Sequence, residues 1–317
     1  MAEALYGAKG FYMTGGSAGR RGDFITSPEV GPLFGAVVGR FLDAEWERIG
    51  RPDEFTVVDA GAGPGGLARS VLAAEPACRN AIRYVAVEVS QALRDRHPGG
   101  VESLAELPDG PLDGVIIANE LLDNLPFRLA VFDGRWREAF VVELPDGSLV
   151  ESLSAPFDPV PTVLPPQASL GARAPLHESA RTWVIDARSR IRSGSVVVID
   201  YTSPTTGALA ARPWREWLRT YRGHDRGGHY LADPGSQDIT TEIAVDQLPT
   251  PDVISPQVQW LQLHGIDELV DEGRQHWAAH AAKPDLAAIK MRSRVREAEA
   301  LLDSEGLGGF TVLEWRS

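Results

Sequence analysis

VVDAGAGPGGLARSVL, residues Val57–Leu72, decides the reading of this 317-residue chain. A run of branched apolar residues is followed by one acid, Asp59, then by glycines on alternate positions, Gly61, Gly63 and Gly65, and then by a helical pattern. Branched residues favour extended backbone, so the run reads as a buried strand. Glycines directly after it let backbone N–H groups approach a ligand with no Cβ in the way. The carboxyl end of a strand in an open α/β sheet is where a ligand sits.

The pattern on either side agrees. Phe55 to Val58 reads as the strand and Leu67 to Ala74 as its helix, ended by Pro76. Ile82 to Val87 is a second strand, Gln91 to Arg96 a short helix, and Leu112 to Ala118 a third strand. Such alternation implies a parallel sheet with crossover helices. The first 27 residues are rich in glycine and arginine and read as a loop or arm. Ser27-Pro28-Glu29 is a helix start, and apolar spacing from Val30 to Ile49 predicts a helix.

Further on, Asp133-Gly134 and Asp146-Gly147 break alternating apolar runs, so about 128–153 reads as antiparallel hairpins. The Pro-rich stretch 156–175 reads as an irregular connection. Leu176 to Ile191 is predicted helical, Ser195 to Tyr201 a strand returning to the main sheet, and Ile239 to Val245 strand-like. Helices over Ser255–His264, Ile266–Ala281 and Asp285–Leu302 precede a closing strand, Phe310–Trp315. The expected organisation is an N-terminal arm and helix over 1–50, a core over 51–127 plus about 176–317, and a hairpin and Pro-rich insertion over about 128–175.

The net charge of −13 repels phosphate backbones, so nucleic acid is not the expected partner. Cys78 is the only cysteine, which excludes an internal disulfide and a cysteine-based metal site and fits a reducing, cytoplasmic setting. The first residues lack the apolar core of a signal peptide, and no run approaches a membrane span.

The strand ends carry the chemistry. Strictly alternating glycines after an acid differ from the dinucleotide fingerprint, which argues against an NAD-dependent dehydrogenase. Asp59 is placed to pair with the cationic amino-acid moiety that S-adenosylmethionine carries and NAD does not. Glu88 ends the second strand, where it can accept from both ribose hydroxyls. Asn119-Glu120 ends the third, close to where a methyl group would be delivered.

GDFITSPEVGPLFG, VVDAGAGPGGLA, AVEVS, ANELLDNLPF and YRGH…DPGSQDIT, in that order, resemble the MidA family. These are S-adenosylmethionine-dependent methyltransferases whose mitochondrial members methylate an arginine on a respiratory complex I subunit. The resemblance runs from Ala4-Leu5-Tyr6 to about Gly309-Phe310. It implies an α/β fold, a Rossmann-like class I methyltransferase sheet with helices on both faces plus an antiparallel β/helical insertion. It implies cofactor roles for Gly61, Gly63, Gly65 and Glu88. It marks Gly22, Asp23, Phe24, Thr26, Pro28 and Glu29 as a cofactor-site or substrate-site loop, and matches Asn119, Glu120, Asp123, Leu125 and Pro126 to a post-strand motif. Where this chain has Asp59 the family usually has Glu. At Leu121 and Leu122 it usually has aromatics, and where Leu129 and Ala130 stand it usually has a polar residue.

For an arginine acceptor, carboxylates grip the guanidinium fork and polarise one nitrogen. Glu120 and Asp123 are the expected clamp, with Asp23 a third candidate; a plain helix-terminal charge is the alternative for Asp123. The glycine-rich loop around Gly15–Asp23 reads as a lid or as a simple N-terminal arm. Tyr221, His224 and Asp233 are candidates to line the acceptor cleft, and no metal is expected at His224, Asp225 and His229. The acceptor is therefore a protein arginine or a small molecule, and a non-catalytic assembly factor keeping the fold is the remaining alternative.

Overall fold

A computed structural model of the chain describes residues 1–14, 26–222 and 225–317. Three helices lead in: α1 (Ala2–Tyr6), α2 (Ser27–Val30) and α3 (Pro32–Arg48). The single helix expected from Val30 is interrupted at Gly31, because the residue before a proline is pushed out of helical backbone. The Glu297 carboxylate accepts from Leu33 N at 2.8 Å and so satisfies an open N–H at the start of α3.

The core then alternates as expected. It runs β1 (Phe55–Ala60), α4 (Gly66–Ala73), β2 (Ile82–Val87), α5 (Gln91–Arg94), β3 (Glu102–Leu104) and β4 (Leu112–Asn119). The insertion contributes β5 (Arg128–Phe132), β6 (Trp136–Glu143), β7 (Leu149–Pro156) and β8 (Arg173–Leu176). The chain returns through α6 (Glu178–Arg190) and β9 (Ile191–Asp200). A lobe of short pieces follows: β10 (Thr202–Ser203), α7 (Thr206–Ala210), α8 (Trp214–Trp217), β11 (Leu218–Arg222), β12 (Asp225–Arg226), β13 (Asp238–Thr241) and β14 (Ile243–Ala244). Closing the chain are β15 (Val253–Pro256), α9 (Gln257–Leu263), α10 (Ile266–His280), α11 (Leu286–Leu301) and β16 (Thr311–Arg316).

Seven strands form the main sheet in the order β15-β16-β9-β4-β1-β2-β3. All run parallel except β16, which is antiparallel to both its neighbours. This is the α/β, Rossmann-like sheet expected. Strand order reverses at β1, which is paired on one side to β2 and on the other to β4. Successive residues of β1 feed opposite faces, so the strand is buried throughout. Val57 packs with Phe34, Phe41, Trp260 and Leu301 beneath α3, α4 and the C-terminal helices. Val58 packs with Ile116, Val184, Val198 and Trp315 on the α6 face.

The insertion is a four-stranded antiparallel sheet in the order β7-β6-β5-β8. Its turns fall at the two Asp-Gly pairs, with Gly134 and Gly147 at φ +100° and +82°. The Pro-rich connection does more than expected: it buries Leu164, receives the Trp136 indole N–H at Pro165 O (2.7 Å) and ends in β8. The N-terminal residues also differ from an arm. Leu5 and Phe11 are buried in a third apolar cluster with Leu129, Trp217 and Leu218. A short amphipathic turn gives little periodic signal, which is why sequence spacing misses it.

Candidate active site

A cavity of about 520 Å3 opens at the carboxyl ends of β1, β2 and β4, where the strand order reverses. The glycine segment forms one wall. Gly61, Gly63 and Gly65 have φ of +74°, +52° and +81°, a left-handed backbone that only glycine adopts without cost. Gly61 N and Ala62 N donate to Val87 O, which ties the loop to the end of β2. A Cβ on Gly61 would stand 3.1 Å from Leu121 Cδ1, so the wall is close to its limit there. Gly65 is not in the cavity wall; it precedes α4 and packs against His97 and Pro98.

Carboxyl groups dominate the polar lining. Asp59 is 3% exposed, and among the described residues its carboxyl receives only a long hydrogen bond from the Tyr84 hydroxyl, at 3.4 Å. Burial pushes its pKa up to about 7. Glu88 accepts from Gly63 N at 3.1 Å and Ser90 N at 2.9 Å, and burial raises it against those two donors. Glu120 sits at φ +53°, an uncommon conformation for a residue with a Cβ, fixed by its N–H to Ile199 O at 2.8 Å. Its Oε1 accepts from Asn119 Nδ2 at 3.0 Å and Ser27 N at 3.3 Å. Burial first, then the charge of Asp123, lift Glu120 to about 8.

Of the residues singled out from sequence, Asp59, Gly61, Gly63, Glu88, Asn119, Glu120, Thr26, Pro28 and Glu29 all border this cavity. Asp123 does not. Its Oδ2 accepts from the Thr240 hydroxyl and its Oδ1 has no partner among the described residues. The turn that follows Glu120 rotates it away, because Leu122 N and Asp123 N both donate to Asp200 Oδ2. The carboxylate pair expected to clamp one acceptor from a single helical face is thus split. Tyr221 is half-buried on β11 and Asp233 is exposed, paired with Arg222 at 2.7 Å; neither borders the cavity. Gly22, Asp23, Phe24 and His224 lie outside the described residues.

Several lining residues escaped the sequence reading. Tyr6 and Tyr12 stack with ring centres 5.6 Å apart. Their hydroxyls donate to Asn124 O at 3.2 Å and to Asp238 Oδ1 at 2.9 Å. The signal available was three aromatics, Tyr6, Phe11 and Tyr12, close together in a short segment. Trp183, Asp186 and Arg190 of α6 close the end near Glu106 and Leu107; they carry no local motif.

The family model described as "Putative S-adenosyl-L-methionine-dependent methyltransferase" matches residues 37–252, and the chain belongs to that family. The chain is 28% identical over 273 residues to the Drosophila melanogaster protein named "Protein arginine methyltransferase NDUFAF7 homolog, mitochondrial", covering 74% of this chain and 61% of that one. Against the Homo sapiens protein of the corresponding name it is 26% identical over 284 residues, covering 74% and 60%. The chain thus spans about three-fifths of the length of these curated relatives. The crystal structure of a Burkholderia thailandensis COG1565 superfamily member bound to S-adenosyl-homocysteine shares the fold, with a TM-score of 0.82 at 24% identity over 100% of this chain and 86% of that chain.

The cofactor of the family is S-adenosyl-L-methionine, and the residues present fit it. The Gly63 segment is open, with nothing within 4 Å of where a Cβ would stand. Asp59 is a buried carboxyl with no cation beside it among the described residues, suited to the cofactor's ammonium group, and Glu88 stands at the strand end suited to its ribose.

Proposed function

We propose that this chain transfers a methyl group to the guanidinium of an arginine in a protein. The observation that carries the reading is Glu120: a cavity-lining carboxyl held on left-handed backbone, with no cationic partner among the described residues. A guanidinium supplies the donors that this carboxyl lacks. The names of the matched relatives point the same way.

Bound S-adenosyl-L-methionine supplies an electrophilic methyl on a sulfonium. The chain's own part is to place the acceptor. Glu120 accepts from the guanidinium N–H groups and fixes the plane of the fork. Methylation costs that nitrogen a proton, and the Glu120 carboxylate receives it at Oε2, the oxygen not engaged by Asn119 and Ser27; a pKa near 8 suits it to the task. Tyr6 and Tyr12 wall the cavity with aromatic faces, which favour a cation and exclude water.

A small-molecule acceptor is the second reading, favoured by the apolar side chains of Leu121 and Leu125 in the wall. Incubation of a lysate with methyl-labelled cofactor and this protein separates the two. Label recovered as methylarginine in a polypeptide supports the proposal; label confined to a low-mass species sinks it.

A further inference from the structure

A second cavity, of about 170 Å3, lies outside the site described, between α8, β11, β12 and the His229–Tyr230 segment. Arg215, Arg219 and Arg226 line it from three different elements. Arg219 is matched by Glu242 at 3.1 Å. Among the described residues, Arg215 and Arg226 have no carboxylate within ion-pairing distance. Arg215 instead lies over the Trp214 ring at 4.4 Å, and Arg173 lies over the same ring at 5.1 Å, its own charge taken by Glu151. His229 stacks on Tyr230 at 4.3 Å and meets Trp214 edge-on at 5.7 Å. Burial lowers the His229 pKa, and Arg215 and Arg173 lower it further against the opposing pull of Glu151. A pocket with surplus positive charge and an aromatic floor is therefore built into a chain whose net charge is −13. Two uncommitted guanidinium forks and a confined volume match a carboxylate.

Its position connects it to the first cavity. Trp214 and Leu218 belong to the apolar cluster that includes Tyr6 and Tyr12. Arg219 Cζ stands 5.8 Å from the Tyr201 ring centre, and the Tyr201 hydroxyl feels the charges of Glu120 and Asp123. The line from the arginine pocket toward Glu120 therefore passes Arg219 and Tyr201, a path for an extended peptide of a few residues.

We propose that this pocket binds the carboxylate of an acidic side chain lying a few residues from the arginine that is methylated. The inference rests on the arginine reading above and adds a sequence rule to it.

The test uses nine-residue peptides with one arginine and one aspartate at successive positions, each beside its asparagine counterpart. With the wild-type protein, aspartate at the favoured spacing lowers KM about tenfold at low salt and leaves kcat unchanged. Arg215→Ala with Arg226→Ala removes that difference while S-adenosylhomocysteine binds as before. Arg215→Glu with Arg226→Glu turns the preference toward lysine peptides. Calorimetry with the acidic peptide carrying glutamine in place of arginine reads the pocket without any transfer, and the alanine pair weakens that binding at least fivefold. If this peptide binds and loses affinity in the variant but no arginine peptide is methylated, the pocket stands and the arginine reading falls. Methylation without an aspartate preference, a preference that survives the alanine pair, or a preference for phosphoserine peptides alone overturns the pocket.

Discussion

Asp59→Asn tests the cofactor site through opposite effects on stability and binding. The wild-type carboxyl is 3% exposed and has, among the described residues, only the long contact from Tyr84, so burial raises its pKa from 3.8 to about 7. The folded state then holds the proton more tightly than the unfolded chain. Stability from this group is greatest below pH 4 and declines as pH rises to about 7. Three pH units at about 1.4 kcal/mol each give an upper limit of roughly 4 kcal/mol across that window. The asparagine has no such titration, so urea unfolding at pH 8 finds the variant more stable than wild type, by up to that amount, while the two converge near pH 4. Binding behaves the other way. An ammonium group favours the carboxylate, so wild-type affinity for S-adenosylhomocysteine rises about tenfold between pH 6 and pH 8 as the charged fraction grows from roughly a tenth to roughly nine-tenths. The variant binds more weakly at pH 8 and loses most of that slope. A variant that binds as tightly as wild type at pH 8, or that is destabilised there by more than about 1 kcal/mol, refutes the reasoning.

Other perturbations separate cradle, acceptor and scaffold. Gly63→Val forces a branched residue to φ +52° in open space; calorimetry should show affinity for S-adenosylhomocysteine falling more than about 100-fold, with a stability loss of only about 1–2 kcal/mol in a thermal melt. Glu88→Ala strips the acceptor from Gly63 N and Ser90 N, so affinity drops about 100-fold in the same titration while the far-ultraviolet dichroism holds. Glu120→Gln keeps the donors from Asn119 and Ser27 but cannot take a proton; kcat in the transfer assay falls at least about 100-fold with cofactor affinity within about threefold of wild type. Trp260→Phe removes the indole N–H that meets the buried Glu314 carboxylate at 2.9 Å, which costs about 2–3 kcal/mol by urea unfolding.

The parts of the molecule readable in the sequence are those written locally. Phe55–Ala60, Ile82–Val87 and Leu112–Asn119 are short apolar runs bounded by turn residues, and the Asp-Gly turns sit where the spacing puts them. The glycine wall and Glu88 follow, because a strand end is a place as well as a residue type. The three-residue β3 and the two-residue β12 are too short for any period to show. The helix expected from Ser255 starts at Gln257 instead, because Val253–Pro256 pairs with β16 as the half-exposed strand β15. Asp123 departs from the expected clamp for a different reason: spacing fixes which residues share a helical face, but the N–H groups of Leu122 and Asp123, given to the distant Asp200, replace the helix with a tight turn. Tyr6 and Tyr12 come from the same limit, since what they touch lies over 100 residues further along.

The hydroxyl of Tyr12 reaching Asp238, 226 positions distant, means that the cavity is assembled from opposite regions of the chain. Such a pocket exists only while those regions are docked, so ligand occupancy becomes a gauge of intact assembly. Saturation at a hundred times Kd adds about 2.7 kcal/mol against every opening that parts them. Amide hydrogens in α1 should therefore slow their exchange with solvent when S-adenosylhomocysteine is added, even though the glycine wall is supplied by a different part of the fold.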